Sequence, residues 1–300
     1  MSTTQRPGRL AVGVVGGGRV GSVLGGALQR AGHRLVAVSA VSAPSRRLVR
    51  RHLPDVPVRE VDDVVAAADL VLLAVPDDEL PAVVDGLAET GRWRSGQLVA
   101  HVSGAHGIAV LEPAVRAGGL PLALHPVMTF TGRPEDADRI AGVSYGITAP
   151  DPLRPVAEAL VVEMGGEPVW IPEQMRALYH AALAMGANHL ITLVAEAAAL
   201  LRQAGVENPT LMLGPLLGAA LDNALRSGDA ALTGPVSRGD AGTVRGHLQT
   251  LRAHAPESVP AYVEMARLTA ERALAAGRLD APHAEALLDV LAARSDGARA

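Results

Sequence analysis

The stretch GVVGGGRVG, residues 13–21, decides the fold of this 300-residue chain. An apolar run leads into it, GGGRVG follows the spacing G-x-G-x-x-G, and a helical pattern continues to Ala31. A strand, a glycine turn and a helix in this order are typical of a dinucleotide-binding α/β unit, in which the helix N-terminus receives a pyrophosphate. The residues expected to hold that group are Gly16, Gly18, Arg19, Val20 and Gly21.

The rest of the chain divides into a strand-rich part and a helical part. Five continuously apolar runs are typical of parallel strands covered on both faces, and two shorter runs follow. These seven runs lie at residues 10–16, 35–40, 69–76, 97–103, 121–126, 144–148 and 167–172. Beyond Pro172 only helical patterns occur, the first of them ending at Gly205. We therefore predict an α/β fold, with an N-terminal doubly wound, mostly parallel Rossmann sheet over residues 1–172 and an all-α C-terminal domain over residues 173–300.

Composition excludes several kinds of chemistry. The chain has no cysteine and no lysine, which rules out thiol nucleophiles, disulfides and Schiff-base lysines. A net charge of −4 and 2% aromatic residues argue against a nucleic-acid partner, and the ten histidines show no metal-ligand spacing with carboxylates. No apolar leader begins the sequence, so we expect a cytoplasmic protein. The apolar stretch 181–201 contains Asn188, His189 and Glu196, which favours a buried core helix over a membrane span.

The second predicted strand favours NADP(H) over NAD as the cofactor. It ends at Ser39 without the aspartate or glutamate that usually binds the adenosine ribose of NAD. Arg46 and Arg47 follow, and an arginine can pair with a 2′-phosphate. Val75 and Pro76, after the third strand, are expected along the nicotinamide side of the same crevice.

Four longer motifs carry a family resemblance. They are HVSGAHG (101–107), LHPVMTF (124–130), YHAALAMGAN (179–188) and ALTGPVSRGDAGTVRGHLQTL (231–251). Together they resemble the Rossmann-like NADP oxidoreductases whose C-terminal half is a domain of unknown function. That family belongs to the 6-phosphogluconate dehydrogenase-like group, whose members include pyrroline-5-carboxylate reductase, prephenate dehydrogenase and ketopantoate reductase. The resemblance implies NADP-linked oxidoreduction in a homodimer formed through the C-terminal helices, and it leaves the substrate open.

Two polar residues follow consecutive predicted strands. Ser103 and His125 both belong to the carboxyl edge of the sheet, where such folds bind ligands. The arrangement is similar to that of prephenate dehydrogenases, and this resemblance implies that His125, aided by Ser103, handles a substrate proton. A lone histidine at the end of a buried strand is also a common packed core residue. His101, two residues before Ser103, is open to the same two interpretations.

The long predicted helix presents a polar face. Residues 176, 180, 184 and 188 share that face at four-residue spacing. Several related enzymes keep a catalytic lysine and an asparagine on this helix; Asn188 matches the asparagine, whereas the lysine has no counterpart here. The resemblance therefore implies that His180 or His125 replaces the lysine and that Asn188 orients a substrate oxygen. Alternatively, His180 and Asn188 form a polar seam between the two domains.

The loop TGPVSRGD, residues 233–240, offers a third group of polar side chains, Thr233, Arg238 and Asp240. An arginine held near an aspartate can receive the carboxylate of a substrate. The alternative is an ion pair that only stiffens the loop.

These observations favour an NADPH-dependent reductase of a small 2-oxo acid, with ketopantoate as the leading candidate. Two alternatives are open. The chain could oxidise a hydroxy acid in the manner of prephenate dehydrogenase, although cellular NADPH usually serves reduction. Because the lysine of related enzymes is missing, the chain could also be a non-catalytic NADPH-binding sensor or scaffold.

Overall fold

A seven-stranded sheet forms the centre of the first of two compact units. The computed structural model describes residues 8–293, so residues 1–7, where the absence of a leader was inferred, lie outside that range. The strands are β1 (Ala11–Val15), β2 (Arg34–Ser39), β3 (Leu70–Leu73), β4 (Leu98–His101), β5 (Leu120–Pro126), β6 (Ser144–Thr148) and β7 (Glu167–Trp170). Their order in the sheet is β2-β1-β3-β4-β5-β6-β7, and only the pair β5–β6 is antiparallel. The predicted seven-stranded, mostly parallel sheet is confirmed.

Helices cover both faces of this sheet, which explains why its central strands are apolar throughout. The helices of the first unit are α1 (Arg19–Arg30), α2 (Ala43–His52), α3 (Val61–Ala67), α4 (Leu80–Glu89), α5 (Glu112–Arg116), α6 (Asp136–Arg139), α7 (Arg154–Glu163) and α8 (Arg176–Leu183). Alternate residues of β3 point to opposite faces, so Leu70 and Leu72 pack with α1 and α7, whereas Val71 and Leu73 pack with α3 and α4. The predicted double winding is therefore correct.

The first compact unit extends past the last strand to Asn188. Strands give way to helices after Pro172, where we predict the domain boundary. Helix α8 nevertheless belongs to the first unit, because Arg176 and Tyr179 hydrogen-bond to β5 and β6. A π-helical turn, Ala184–His189, follows α8. The predicted boundary thus marks the change of secondary structure, whereas the division into compact units comes later in the chain.

The described part of the second unit is helical, as predicted. Its helices are α9 (Leu190–Gln203), α10 (Pro209–Ser227), α11 (Ala241–His254), α12 (Val259–Ala275) and α13 (Ala281–Ala292). Val244 of α11, Ala270 of α12 and Leu287 of α13 meet in a buried core.

The prediction that the stretch 181–201 is a buried core helix is wrong; it lies within the helical stretch Glu173–Gln203. Within residues 8–293 this is the helical stretch long and apolar enough to cross a membrane, yet only 6% of its most apolar window is buried. Helix α10 is also exposed. The large exposed apolar residues from α8 to α10 are Leu178, Met185, Leu190, Ile191, Leu193, Leu211, Met212, Leu216, Leu221 and Leu225. Apolar composition indicates that these faces avoid water, but it does not show whether the same chain covers them.

Candidate active site

The glycine loop forms a tight turn between β1 and α1. Gly16 has φ +99°, and a Cβ there would overlap the carbonyl oxygen of Ala74. A Cβ at Gly21 would overlap the carbonyl oxygen of Gly16, whereas a Cβ at Gly18 would enter open space. Gly18 is the N-cap of α1 and contributes no side-chain capping bond, so the N–H groups of the first turn have neither a side-chain cap there nor intrahelical partners. The loop is built to receive an anion.

Ser39 shapes this loop from β2. Its Oγ accepts a hydrogen bond from the Gly16 N–H at 3.0 Å, and its carbonyl oxygen accepts one from the Gly17 N–H at 2.7 Å. The backbone nitrogen of Val75 lies beside Gly16, and Pro76 comes next in the chain. Their place along the nicotinamide stays a prediction.

An arginine-rich cleft of about 640 Å³ lies at the carboxyl end of β2. Arg46 lines it, together with Arg50 and Arg59, which the sequence analysis missed; Arg47 is exposed and is not part of the lining. Arg50 follows Arg46 by one helical turn of α2, so i,i+4 spacing could have indicated it. Arg59 arrives through a parallel bridge between Val38 and Val58, a contact that no local pattern predicts. Two carboxylates, Glu60 and Asp63, also line the cleft.

His125 occupies the end of β5 and faces a second cleft, of about 320 Å³. Its Nδ1 lies 2.8 Å from the Tyr179 hydroxyl, and its ring meets that of His180 edge-on, with 6.1 Å between centroids. The cleft is lined by His125, Val127, Met128, Thr129, His180, Leu183, Ala184, Ala187 and Asn188. The structure therefore brings together three of the four predicted catalytic residues.

Ser103 is the predicted residue that does not line this cleft. It is buried, and its Oγ accepts a hydrogen bond from the His106 N–H at 3.1 Å. The Ser103 N–H in turn donates to Nδ1 of His101 at 3.2 Å, and Nε2 of His101 donates to the Gly107 carbonyl at 2.8 Å. Burial lowers the pKa of His101 to about 3, so this imidazole is neutral. Ser103 and His101 hold the turn after β4.

Arg176, which the sequence analysis placed on the polar helix face without a role, is buried, with 2% of its surface exposed. Its guanidinium donates to Oγ1 of Thr148 at 2.9 Å and to the carbonyl oxygens of Ala123 and Gly146 at 3.2 and 3.1 Å. A longer bond of 3.5 Å reaches the carbonyl of Ser103. Arg176 thus joins the carboxyl edge of β4 and β5 to β6 without an ion pair to any described carboxylate.

Tyr179 is the second residue that the sequence analysis missed. Its hydroxyl rests against Gly146, where a Cβ would overlap it, and reaches His125. The guanidinium carbon of Arg176 lies 5.8 Å from the centre of the Tyr179 ring. Burial raises the pKa of Tyr179, whereas Arg176 and the Gly146 backbone act against that rise.

The electrostatics of the cleft keep His125 neutral. Burial lowers its pKa to about 4, Arg176 and His180 act in the same direction, and Asp77 opposes them. At neutral pH the ring is therefore an imidazole with a single N–H rather than an imidazolium.

Comparison with known families identifies both halves of the chain. Residues 1–126 match the Rossmann-like domain, and residues 143–269 match the Domain of unknown function (DUF2520). The chain therefore contains a Rossmann-like domain followed by a DUF2520 domain. Among curated protein sequences, none matches it significantly.

Solved structures share the fold of this DUF2520 protein at low sequence identity. A protein assigned as an NADP oxidoreductase from Bacteroides fragilis is 22% identical over 88% of this chain and 98% of its own, with a TM-score of 0.71. A reductive aminase from Aspergillus terreus is 18% identical over 94% of this chain and 99% of its own (TM-score 0.61). An imine reductase from a Pseudomonas species is 20% identical over 95% and 100% (TM-score 0.58). The fold is therefore one that NAD(P)-dependent reductases use.

The three predicted substrate-binding residues of the DUF2520 protein lie in its second unit, between α10 and α11. Asp240 is the N-cap of α11: its carboxylate accepts bonds from the N–H and the hydroxyl of Thr243, which lower the pKa of Asp240. Arg238 and Thr233 are exposed on the same loop. Within the described loop no ion pair joins Arg238 to Asp240, so the predicted alternative of an ion pair that stiffens the loop is wrong. Asp240 caps α11 instead.

Proposed function

We propose that this chain is an NADPH-dependent reductase of a small carbonyl compound. The observation that carries the proposal is the hydrogen-bonded pair of His125 and Tyr179, which opens into a cleft at the carboxyl edge of a Rossmann-like sheet. Parallel α/β sheets bind dinucleotides at that edge, so a proton donor there is suited to a carbonyl that is being reduced.

The glycine loop and the arginine-rich cleft fit a phosphorylated nicotinamide dinucleotide. A side chain at Gly18 would enter the space in front of α1 that a pyrophosphate needs. Arg46, Arg50 and Arg59 outnumber the two carboxylates beside them and suit a 2′-phosphate, which favours NADP(H) over NAD. When bound, the cofactor would supply the hydride that reduces the substrate carbon.

The side chains of the second cleft would orient and protonate the substrate. His125 donates a proton to the developing oxyanion, and His180 and Asn188, which line the same cleft, orient that oxygen. Leu183 and Ala187 give the cleft an apolar wall that limits water. A proton donor in a fixed position contributes roughly 10²- to 10⁴-fold in rate.

The substrate class that we propose is a small 2-oxo acid, with ketopantoate as the first candidate. A cleft of about 320 Å³ suits a small molecule. Arg238 and Thr233 stay carboxylate receivers predicted from the sequence alone, whereas Asp240 caps α11. A cyclic imine is the second candidate, because an imine reductase and a reductive aminase share this fold.

The test is NADPH oxidation by the purified protein with a panel of 2-oxo acids, ketopantoate first, and of cyclic imines. We expect turnover with a 2-oxo acid. His125→Asn should lower kcat by about 10²-fold or more and leave the NADPH dissociation constant within about threefold of wild type. His254→Asn, an exposed histidine of the second unit, is the matched control and should keep wild-type kcat.

Two other outcomes would reject the reductase. Oxidation of prephenate by NADP, without reduction of any panel compound, would establish the dehydrogenase alternative. Tight NADPH binding without turnover on any compound would establish the sensor.

A further inference from the structure

The two ring nitrogens of His125 have different surroundings. Nδ1 lies 2.8 Å from the Tyr179 hydroxyl. Nε2 lies over Gly104, where a Cβ would come within 2.9 Å of it. Nδ1 is therefore engaged by Tyr179, and the His125 side chain lines the cleft.

The direction of the His125–Tyr179 hydrogen bond follows from the groups around the phenol oxygen. The Tyr179 hydroxyl lies against the Gly146 backbone and close to the positive charge of Arg176. Both neighbours favour electron density on the phenol oxygen, so its proton points to the ring nitrogen. Nδ1 then accepts, and the single proton of the neutral ring stays on Nε2.

The charge of Arg176 is available to this oxygen. The guanidinium hydrogen bonds go to carbonyl oxygens and to one threonine hydroxyl, which are neutral groups. Glu173 is the acid that acts on Arg176, and both of its carboxylate oxygens accept N–H bonds from Ile108 and Ala109. A phenolate at Tyr179 would therefore face a buried, only partly compensated cation.

We propose that Tyr179 is the proton reservoir for His125 and that Arg176 stabilises the resulting phenolate. This inference rests on the proposed reductase function. As the substrate oxygen gains negative charge, the Nε2–H bond breaks and the new O–H bond forms. At the same time the Tyr179 O–H bond breaks and an Nδ1–H bond forms, so the ring stays neutral and the negative charge ends on the phenol oxygen. After product release, water returns the proton.

The second His–Tyr pair of the chain supplies a matched control. His247 Nδ1 lies 2.8 Å from the Tyr262 hydroxyl, with rings edge-on at 84°, which is nearly the geometry of the first pair. His247 is exposed, and no arginine of the described chain lies over the Tyr262 ring. The same hydrogen bond is thus present without the buried cation.

The experiment compares the wild type with Tyr179→Phe and Tyr262→Phe. Histidine ¹⁵N NMR reports which ring nitrogen carries the proton, and His101, whose Nε2 donates to a carbonyl, is the internal reference. We expect His125 to match His101 in the wild type and in Tyr262→Phe, and to become a mixture of tautomers in Tyr179→Phe. Thermal melting verifies that each variant is folded.

Kinetics give the second measurement. Tyr179→Phe should lower kcat by about 10²-fold with KM within about threefold, and Tyr262→Phe should change neither. Because the donor ring is neutral, wild-type kcat should be level between about pH 5.5 and 8, whereas an imidazolium donor would lose activity as the pH rises. The titratable or charged groups that interact with His125 are Tyr179, Arg176, His180, Asp77 and His101.

A proton on Nδ1 of His125 in the wild type would overturn the relay, and so would a loss of kcat below about threefold in Tyr179→Phe. If the wild type reduces no substrate, the reductase proposal fails instead. The wild-type tautomer then decides the hydrogen-bond direction on its own.

Discussion

His101 and His125 are both kept neutral by burial, and the two rings differ in their hydrogen-bond partners. Both nitrogens of His101 are hydrogen-bonded to backbone groups, so this ring holds the turn after β4. Nδ1 of His125 is hydrogen-bonded to Tyr179, and the side chain lines the cleft.

The two histidines should make the fold sensitive to acid. Their pKa values in the folded chain, about 3 and about 4, lie below the value of 6.5 for a free histidine. Below pH 6.5 the unfolded chain binds protons that the folded chain does not. The free energy of unfolding therefore decreases as the pH is lowered. Below pH 6.5 each histidine lowers the free energy of unfolding by on the order of 1.4 kcal/mol for every unit by which the pH is lowered. Above pH 6.5 neither histidine changes it.

Urea unfolding at several pH values from neutral down to about pH 5 measures this loss. His125→Asn should show a shallower pH dependence than the wild type, because one of the two groups is gone. A wild-type unfolding free energy that does not change over this range would contradict the assignment of both rings as neutral.

At the scale of elements, the glycines of the turn between β1 and α1 differ in whether a Cβ would fit at their positions. Gly16 and Gly21 have no room for a Cβ, so they serve the packing of the turn. Gly18 has room on every side and an extended backbone that any residue can adopt, so the fold itself does not require glycine there. What its missing side chain leaves open is the approach to the N-terminus of α1.

Gly18→Ala should therefore weaken cofactor binding without weakening the fold. We expect the NADPH dissociation constant to rise by roughly tenfold, because a methyl group would stand where the pyrophosphate approaches. The melting temperature of the free protein should stay at the wild-type value. Fluorescence titration with NADPH measures the first effect.

Gly86→Ala is the control for this substitution, since Gly86 lies in α4 and also has open space around its Cβ position. It should leave NADPH affinity unchanged. Equal affinity in wild type and Gly18→Ala would show that the cofactor does not approach this turn.

At the scale of the whole molecule, α9 and α10 expose large apolar side chains. Leu211, Leu216 and Leu225 are 76%, 63% and 79% exposed, and monomeric proteins rarely expose large continuous apolar patches. We propose that a second copy of the chain covers these helices, because homodimers bury self-complementary apolar surfaces.

Sedimentation of the wild type at micromolar concentration should therefore show a dimer. The double variant Leu216→Glu with Leu225→Glu should sediment as a monomer, since two carboxylates per chain would be buried without partners. Leu288→Glu, on the partly exposed face of α13, is the control and should remain dimeric. A monomeric wild type, or a wild type that requires detergent, would reject the homodimer.

The sequence alone determined the strands, the glycine turn and the helical second half, because each depends on residues that are close together in the chain. Apolar runs mark strands, and glycine spacing marks the turn. The end of β5 likewise placed His125 at the carboxyl edge of the sheet. What local patterns cannot supply is the set of polar partners that meet across the fold.

Only the tertiary structure decided those partners. Tyr179 reaches His125 across 54 residues of sequence, and Arg59 joins the arginine-rich cleft through a bridge to β2. Ser103 turned out to hold a backbone turn, and the long apolar helix to be exposed. Burial and hydrogen bonding are properties of the packed chain, since they depend on which distant groups displace water from a side chain.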